Sequence, residues 1–326
     1  MARALAGRLV TAALTLFLVT LLVFTLIQLA PGSPLAESGD TAGLQRLTPE
    51  AIAELERIYR LDQPLHRQYL LWLGDLLRGD LGRSFHDKQP VAAKIGNRLG
   101  ITVTLNLLAL AVMVLTAVPL GALSAWKPGA FVDRFGAIGT YALYSLPVFW
   151  AALLLQILFA VRLNWLPLAG LHSTGAEDWG TLRVLYDRAL HLVLPVACLS
   201  YGGLAYLSRF VRATLLESSS GESVLAARAR GLSSLAVLWR HGFRQAAVPM
   251  LTLAGFLLPT LVGGSVIVET VFSIPGLGRL FVEAAFQRDV PVLLGLTLLS
   301  GTATLAGIVA ADLAYALADP RIRRGR

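Results

Sequence analysis

The sequence predicts an all-α integral membrane fold: six transmembrane helices, a long external loop after the first, and a short cytosolic helix between spans four and five. Three observations carry that expectation. Of the 326 residues, 56% are hydrophobic and only 15% charged, a balance too apolar for a chain wetted on all sides. Six stretches without Asp, Glu, Lys or Arg are each long enough to cross a hydrocarbon core of roughly 30 Å, which takes about 20 helical residues. They lie between Arg8 and Glu37, Arg98 and Lys127, Arg134 and Arg162, Arg188 and Arg209, Arg244 and Glu269, and Asp289 and Asp312. Finally, the net charge of +8 is unevenly placed. With the N-terminus inside, the inner side collects half of the 28 Lys and Arg but only Asp133, Glu217, Glu222 and Asp319 of the acids. The outer side is balanced once Glu269 and Asp312 are left to the membrane. An excess of basic residues in cytosolic loops is the usual topology signal, so both termini are expected in the cytosol. The charge is thereby explained without nucleic acid.

Residues 1–30 read as a cytosolic tail and span one. The uncharged stretch exceeds a usual signal-peptide core and is expected to stay as a helix. Residues 31–98 form an external loop too long and too patterned for a bare connection. Thr48-Pro49-Glu50 supplies helix-start chemistry, followed by Ile52, Leu55 and Tyr59 on one face. A second amphipathic run from Leu65 to Leu77 offers Tyr69, Trp72, Leu73, Leu76 and Leu77 to the membrane interface. Residues 99–320 hold spans two to six, and 321–326 are a cytosolic basic tail. Pro119, Pro147, Pro195 and Pro259, with Gly263 and Gly264, are expected to bend the spans or let them approach closely.

The fourth loop, Arg209 to Arg244, is the most informative segment. Within it Glu222-Ser-Val-Leu-Ala-Ala-Arg-Ala-Arg-Gly231-Leu232 reads as a short, well-terminated helix. Glu222 suits the positive helix end and Arg228 and Arg230 the negative end. Gly231 is placed to take the left-handed C′ conformation, with Leu232 folding back on the last turn. Ser233 or Ser234 is placed to cap the helix that follows. Ala226, Ala227 and Ala229 leave a thin face.

The chain resembles the permease family of bacterial dipeptide, oligopeptide and nickel ABC importers, and the resemblance covers nearly its whole length. The motifs that carry it, in order, are Ala30-Pro31-Gly32-Ser33-Pro34, Gly79-Asp80-Leu81-Gly82-Arg83-Ser84, Ser145-Leu146-Pro147-Val148-Phe149, Trp165-Leu166-Pro167 and His191-Leu192-Val193-Leu194-Pro195. The loop Ala226-Ala227-Arg228-Ala229-Arg230-Gly231-Leu232 is similar to the family's EAA loop, with Leu225 where the strict form has Glu. Val268-Glu269-Thr270-Val271-Phe272, Pro275-Gly276-Leu277-Gly278 and Asp319-Pro320-Arg321 complete the set. The resemblance implies that this loop is a coupling helix seated in a cleft of a cytosolic ATPase. Val224, Leu225, Ala226 and Ala227 are then expected to fill the cleft, and Arg228 and Arg230 to meet an acidic surface. It further implies a second homologous permease, two ATPase subunits or domains, an external solute-binding protein, and a place in the bacterial inner membrane. Glu269, Phe272, Pro275, Gly276 and Gly278 are expected at a gate or external mouth, with the two glycines and Pro275 as turn residues.

Other chemistry is missing from the sequence. The only lysines, Lys88, Lys94 and Lys127, are not in a phosphate-cradling Gly-rich loop, so ATP and Mg²⁺ are expected to be used by partner ATPases and no cofactor by this chain. His66, His86, His172, His191 and His241 contain no His-Glu-x-x-His pair, and neither metal nor catalytic residues are assigned; His191 is expected at the external interface. Cys198, the sole cysteine, excludes an internal disulfide and reads as a buried inert thiol. An ion-coupled secondary transporter and a scaffold without transport activity are the rival readings. The first should place ionisable groups near the bilayer midplane, whereas Glu269 and Asp312 flank their spans. The solute is left open among peptides, nickel chelates, glutathione-like molecules and oligosaccharides.

Overall fold

The computed structural model describes residues 2–29, 60, 62–219, 224, 226, 229–237, 242, 243, 246, 250 and 261–318. Among these, regular structure is helical apart from an isolated β-bridge between Arg83 and Pro90. The helices are α1 (Ala2–Leu29), α2 (Leu65–Leu77), α3 (Val91–Trp126), α4 (Phe131–Tyr144), α5 (Val148–Leu155, continued by a π turn, Gln156–Arg162), α6 (Thr181–Ser218), α7 (Ser234–Val237), α8 (Val266–Val271), α9 (Leu277–Phe286) and α10 (Val290–Ala318). Among the described residues, α1, α3, α6 and α10 are each long and apolar enough to cross a membrane. The third predicted stretch is not one straight helix: α4 and the α5–π segment meet at 96°. Pro147 explains the break, because it lacks an amide proton and holds Leu146 out of the helical region. The Leu146 carbonyl is taken up by the Tyr201 hydroxyl at 2.9 Å. Pro119 and Pro195, by contrast, lie inside continuous helices. Most of the fifth predicted span, and the expected helix after Thr48, lie outside the described residues.

The chain divides into two compact units. The first comprises Met1–Ile101 and Gly276–Leu305. Here α1 is a lipid-suited helix whose threonines bond to their own backbone. Thr11, Thr15 and Thr25 donate to carbonyls four residues back at 2.8–2.9 Å, leaving no hydroxyl to desolvate. The run from Leu65 to Leu77 is helical, and its aromatic face turns against α1. Tyr69, only 3% exposed, packs with Phe17, Phe24 and Trp72, and its hydroxyl bonds to Thr20 at 2.9 Å and donates to the Phe17 carbonyl at 3.1 Å. Val290 and Leu294 of α10 complete this core.

The segment after α2 is fixed by short-range polar contacts. Asp80 accepts the Gly82 amide at 2.8 Å, and the 82–91 loop closes through Ser84 N–H to Gln89 and Val91 N–H to Gly82. Buried Asp289 then receives the Ser84 hydroxyl and, at 3.1 Å, the Phe85 amide. Lys94 reaches both Ser84 Oγ at 3.1 Å and Asp87 at 2.8 Å. Burial raises the Asp87 carboxyl, but the Lys94 ammonium, the Gln89 amide and Ser84 outweigh it and leave Asp87 below the usual carboxylate range. Arg98 and Arg279 both bind Glu283, at 2.8 and 2.9 Å.

The second unit comprises Thr102–Pro275 and Ala306–Arg326. Its core joins α3 and α6 through Met113, Ala117, Ala122, Ala125, Leu207, Val211 and Leu215. Gly121 makes the close approach possible: a Cβ there would stand 2.4 Å from the Ser208 carbonyl and 2.8 Å from Val211 Cβ. Helix α4 packs along α6, tied by a bidentate pair in which Arg212 Nε and Nη2 donate to the two Asp133 oxygens at 2.7 and 2.8 Å. Cys198 is free and buried, as expected.

Candidate functional site

Three parts of the second unit bear on function: the turn after α6, the segment from Leu261 to Pro275, and the polar ties between helices. In the turn, local chemistry explains the path. Gly231 has φ +80°, a conformation costly for a residue with a Cβ, and so ends the helical turn that precedes it. Leu232 folds back against Val224 and Val237. Ser233 then starts α7, its Oγ accepting the Ala236 amide at 3.4 Å. Arg230 donates its amide and its Nε to the Ala226 carbonyl, each at 3.2 Å, so its side chain adds a second donor at the end of this helical turn. Ala226, Ala229, Arg230 and Gly231 are exposed. Glu222, Leu225, Ala227 and Arg228 lie outside the described residues. Val224 is a correction: expected to fill a partner's cleft, it is fully buried beneath Leu232, because a β-branched apolar side chain on the inner face of so tight a turn has a partner at hand within the chain.

The segment from Leu261 to Pro275 is braced on several sides. Ser265 caps α8 by accepting the Val268 amide at 3.4 Å, while the Ser265 amide donates to Glu269 Oε1 at 3.2 Å, an arrangement close to a capping box. Glu269 is wholly buried and also receives the Thr102 hydroxyl at 3.1 Å; a carboxyl group removed from solvent requires such partners. Asn106 donates to the Leu261 carbonyl at 3.1 Å. The decisive brace is Gln156 at the start of the π turn. Its amide donates to the carbonyls of Leu168 at 2.8 Å and Val271 at 3.3 Å, beside the Gly170 amide to Phe272 carbonyl bond at 2.8 Å. The stretch Leu168 to Gly170, just after Trp165-Leu166-Pro167, is therefore held to the end of α8 by the Gln156 side chain and one backbone bond, with Phe272 2% exposed.

The residues expected at a gate or external mouth are enclosed by the chain itself. Glu269, Phe272, Gly276 and Gly278 are buried and Pro275 is half-buried, so none is a freely exposed rim residue. Gly276 caps α9, but Gly278 lies inside that helix and is not a turn residue. His191 is also buried, its Nδ1 2.8 Å from the Asp187 carbonyl, and Asp187 is held by the Ser173 hydroxyl and amide at 2.6 and 2.8 Å. Sequence reasoning missed Gln156, Ser84, Asp289 and the Asp133–Arg212 pair. The available signal was a polar or charged residue at the margin of an apolar stretch, but its partner lies far away along the chain.

Residues 117–324 match the family model described as binding-protein-dependent transport system inner membrane component, and residues 1–106 match the model for the N-terminal part of that component. The chain belongs to this family. Among relatives, it is 36% identical over 305 residues to the oligopeptide transport system permease protein AppB of Bacillus subtilis, covering 93% of this chain and 94% of that one. It is 38% identical over 324 residues to "Probable peptide ABC transporter permease protein y4tP" of Sinorhizobium fredii, covering 97% of each. As a member, the chain is a multi-pass permease component of a binding-protein-dependent transport system, and the family places it among transporters rather than catalytic enzymes. That membership sets aside the ion-coupled and scaffold readings.

Proposed function

We propose that this chain is one of two permeases that together form the path of an ATP-driven importer of di- or oligopeptides. The names carried by its relatives support peptide as the solute class. Six spans cross the bacterial inner membrane, with both termini cytosolic. Residues 1–30 are the tail and first span, 31–98 the external loop, 99–320 the permease core and 321–326 the basic tail. Two cytosolic ATPase subunits or domains use ATP and Mg²⁺, this chain binds no cofactor, and an external binding protein delivers the solute.

The observation that carries this reading is the pinned turn after α6. It follows a helix of 38 residues, Thr181–Ser218, in the chain, and in it Leu232 packs on Val224 and Val237 while Ala226, Ala229 and Arg230 face outward. A turn packed on itself beside a long helix suits a lever between an ATPase and the spans. Glu222, Leu225, Ala227 and Arg228 complete the docking face. On the other side, the braced α8 segment with Glu269 and Phe272 acts as a rigid plug at the path, with Pro275 and Gly276 at its outer end and Gly278 in the helix that follows.

The test is purification of the chain from its native membrane in mild detergent, with identification of every protein recovered. A second permease, ATPase subunits and a peptide-loaded binding protein are expected. Recovery of the chain alone, under conditions that preserve other membrane complexes, would overturn the reading.

A further inference from the structure

Within the first unit, the loop between α2 and α3 is held more firmly than a surface turn requires. A bridge joins Arg83 to Pro90, the Ser84 amide donates to the Gln89 carbonyl at 3.0 Å, and the Arg83 guanidinium donates to the Lys88 carbonyl at 3.1 Å. Beneath it, Asp289 is 1% exposed and the Lys94 side chain 10%, and both are spent on the loop: Asp289 takes the Ser84 hydroxyl and the Phe85 amide, and Lys94 binds Ser84 and Asp87. Lys88 adopts φ +61°, a left-handed conformation that is costly for a residue with a Cβ and that a glycine would enter freely. A cation is thus fixed where a turn alone would favour glycine.

What the loop presents is basic. Its one carboxylate, Asp87, is bound to Lys94 at 2.8 Å, and the acid just before it, Asp80, accepts the Gly82 amide. Arg83, His86 and Lys88 are exposed, and among the described residues neither Arg83 nor Lys88 has a carboxylate within ion-pair distance. The loop also stands clear of the bilayer. Arg98 is the last charge of α3 before its uncharged stretch, so the hydrocarbon begins no further out than residue 99. Residues 91–98 add about 12 Å of helix beyond that level, against a head-group layer of roughly 5–7 Å. The junction of loop and helix therefore lies above the head groups, and the cations face the external solution. A soluble protein that meets them there offers acids, and a surface fixed in advance spares the complex the entropy of ordering a mobile loop.

We propose that the outer edge of this loop, with Arg83 and Lys88 as its charges, is a docking surface for an acidic patch on the external binding protein. The proposal rests on the importer reading above. The test uses the complex purified from its native membrane and placed in nanodiscs, with the peptide-loaded binding protein recovered alongside it as the probe. Arg83→Glu/Lys88→Glu should weaken binding by about tenfold or more, chiefly through slower association. Added salt should weaken binding to the natural chain and change little in the variant, and Arg83→Lys/Lys88→Arg should keep most of the affinity. Lys88→Glu alone, at an exposed side chain, gives the same comparison if the double variant disturbs assembly. A photo-cross-linking residue in place of His86 should capture the binding protein. Equal affinity in the glutamate variants overturns the proposal and leaves the importer reading standing, as does capture from position 86 of lipid or the second permease alone. A complex with no binding protein overturns the importer reading and this proposal with it.

Discussion

Arg212 engages Asp133 with two parallel bonds, and the pair is only partly hidden, with the Arg212 side chain 34% exposed and that of Asp133 11%. A fully buried pair broken on one side costs roughly 3–5 kcal/mol, and solvent screening at Arg212 lowers that here to about 1–3 kcal/mol. Asp133→Ala should therefore lower the unfolding midpoint in detergent, and the Asp133→Ala/Arg212→Ala double variant should recover part of the loss, since it leaves no unpaired charge. Strictly additive losses would exclude coupling between the two. Asp87 yields a pH prediction. Its carboxyl lies below the usual range in the folded chain, so the stability it contributes is complete above an ordinary carboxylate value of about 3.9. That stability is lost as pH falls through the depressed value. Hydrogen exchange in the 82–91 loop should accelerate on acidification below about pH 4, and Asp87→Asn should remove that dependence. None of these pairings was legible in the chain. Asp133 and Arg212 are 79 residues apart, and charge counting assigned both to loops as topology markers. Pairing across such distances follows from packing, which no local pattern encodes.

At the scale of the element, what could be read was what is decided within a few residues. The helix from Leu65 to Leu77 followed from apolar spacing, and the Gly231 turn from a glycine placed after Arg228 and Arg230 with serines behind it. Bending was expected at Pro147 as at the other span prolines; a 96° break there, with none at Pro119 or Pro195, was not, because one residue type gives both outcomes. At the break a tertiary partner takes up the freed group, the Tyr201 hydroxyl donating to the Leu146 carbonyl. Two variants probe elements directly. Gly121→Leu forces α3 and α6 apart where the glycine meets the Ser208 carbonyl and should cost about 1–3 kcal/mol or more, seen as a lower melting temperature. Gly231→Glu puts a bulky acidic side chain at φ +80°, and Ala227→Glu puts one on the proposed docking face. Both should uncouple ATP hydrolysis from uptake in reconstituted vesicles while the protein stays in the membrane. Unchanged uptake in both would count against the coupling role.

For the whole molecule, the path proposed to be shared by two permeases is an interface, so the chain alone should support no transport. Vesicles containing only this permease are expected to accumulate no labelled dipeptide with ATP, and uptake should appear when the second permease, the ATPases and the binding protein are restored. Transport by the chain alone would refute the shared-path arrangement. Composition and the uncharged stretches made the membrane class readable from the start, and the ordered motifs made the family readable. The two-unit division was not, because two of its boundaries, after Ile101 and after Leu305, fall inside α3 and α10. The first unit joins Met1–Ile101 to Gly276–Leu305, and the Ser84 hydroxyl donates to Asp289, 205 residues further on. A ribosome adding about 5–20 residues per second needs roughly 10–40 s to cover that interval. For that time the newly inserted N-terminal third is without the carboxylate that fastens its loop, so whatever guards nascent membrane chains must hold it until translation has nearly finished.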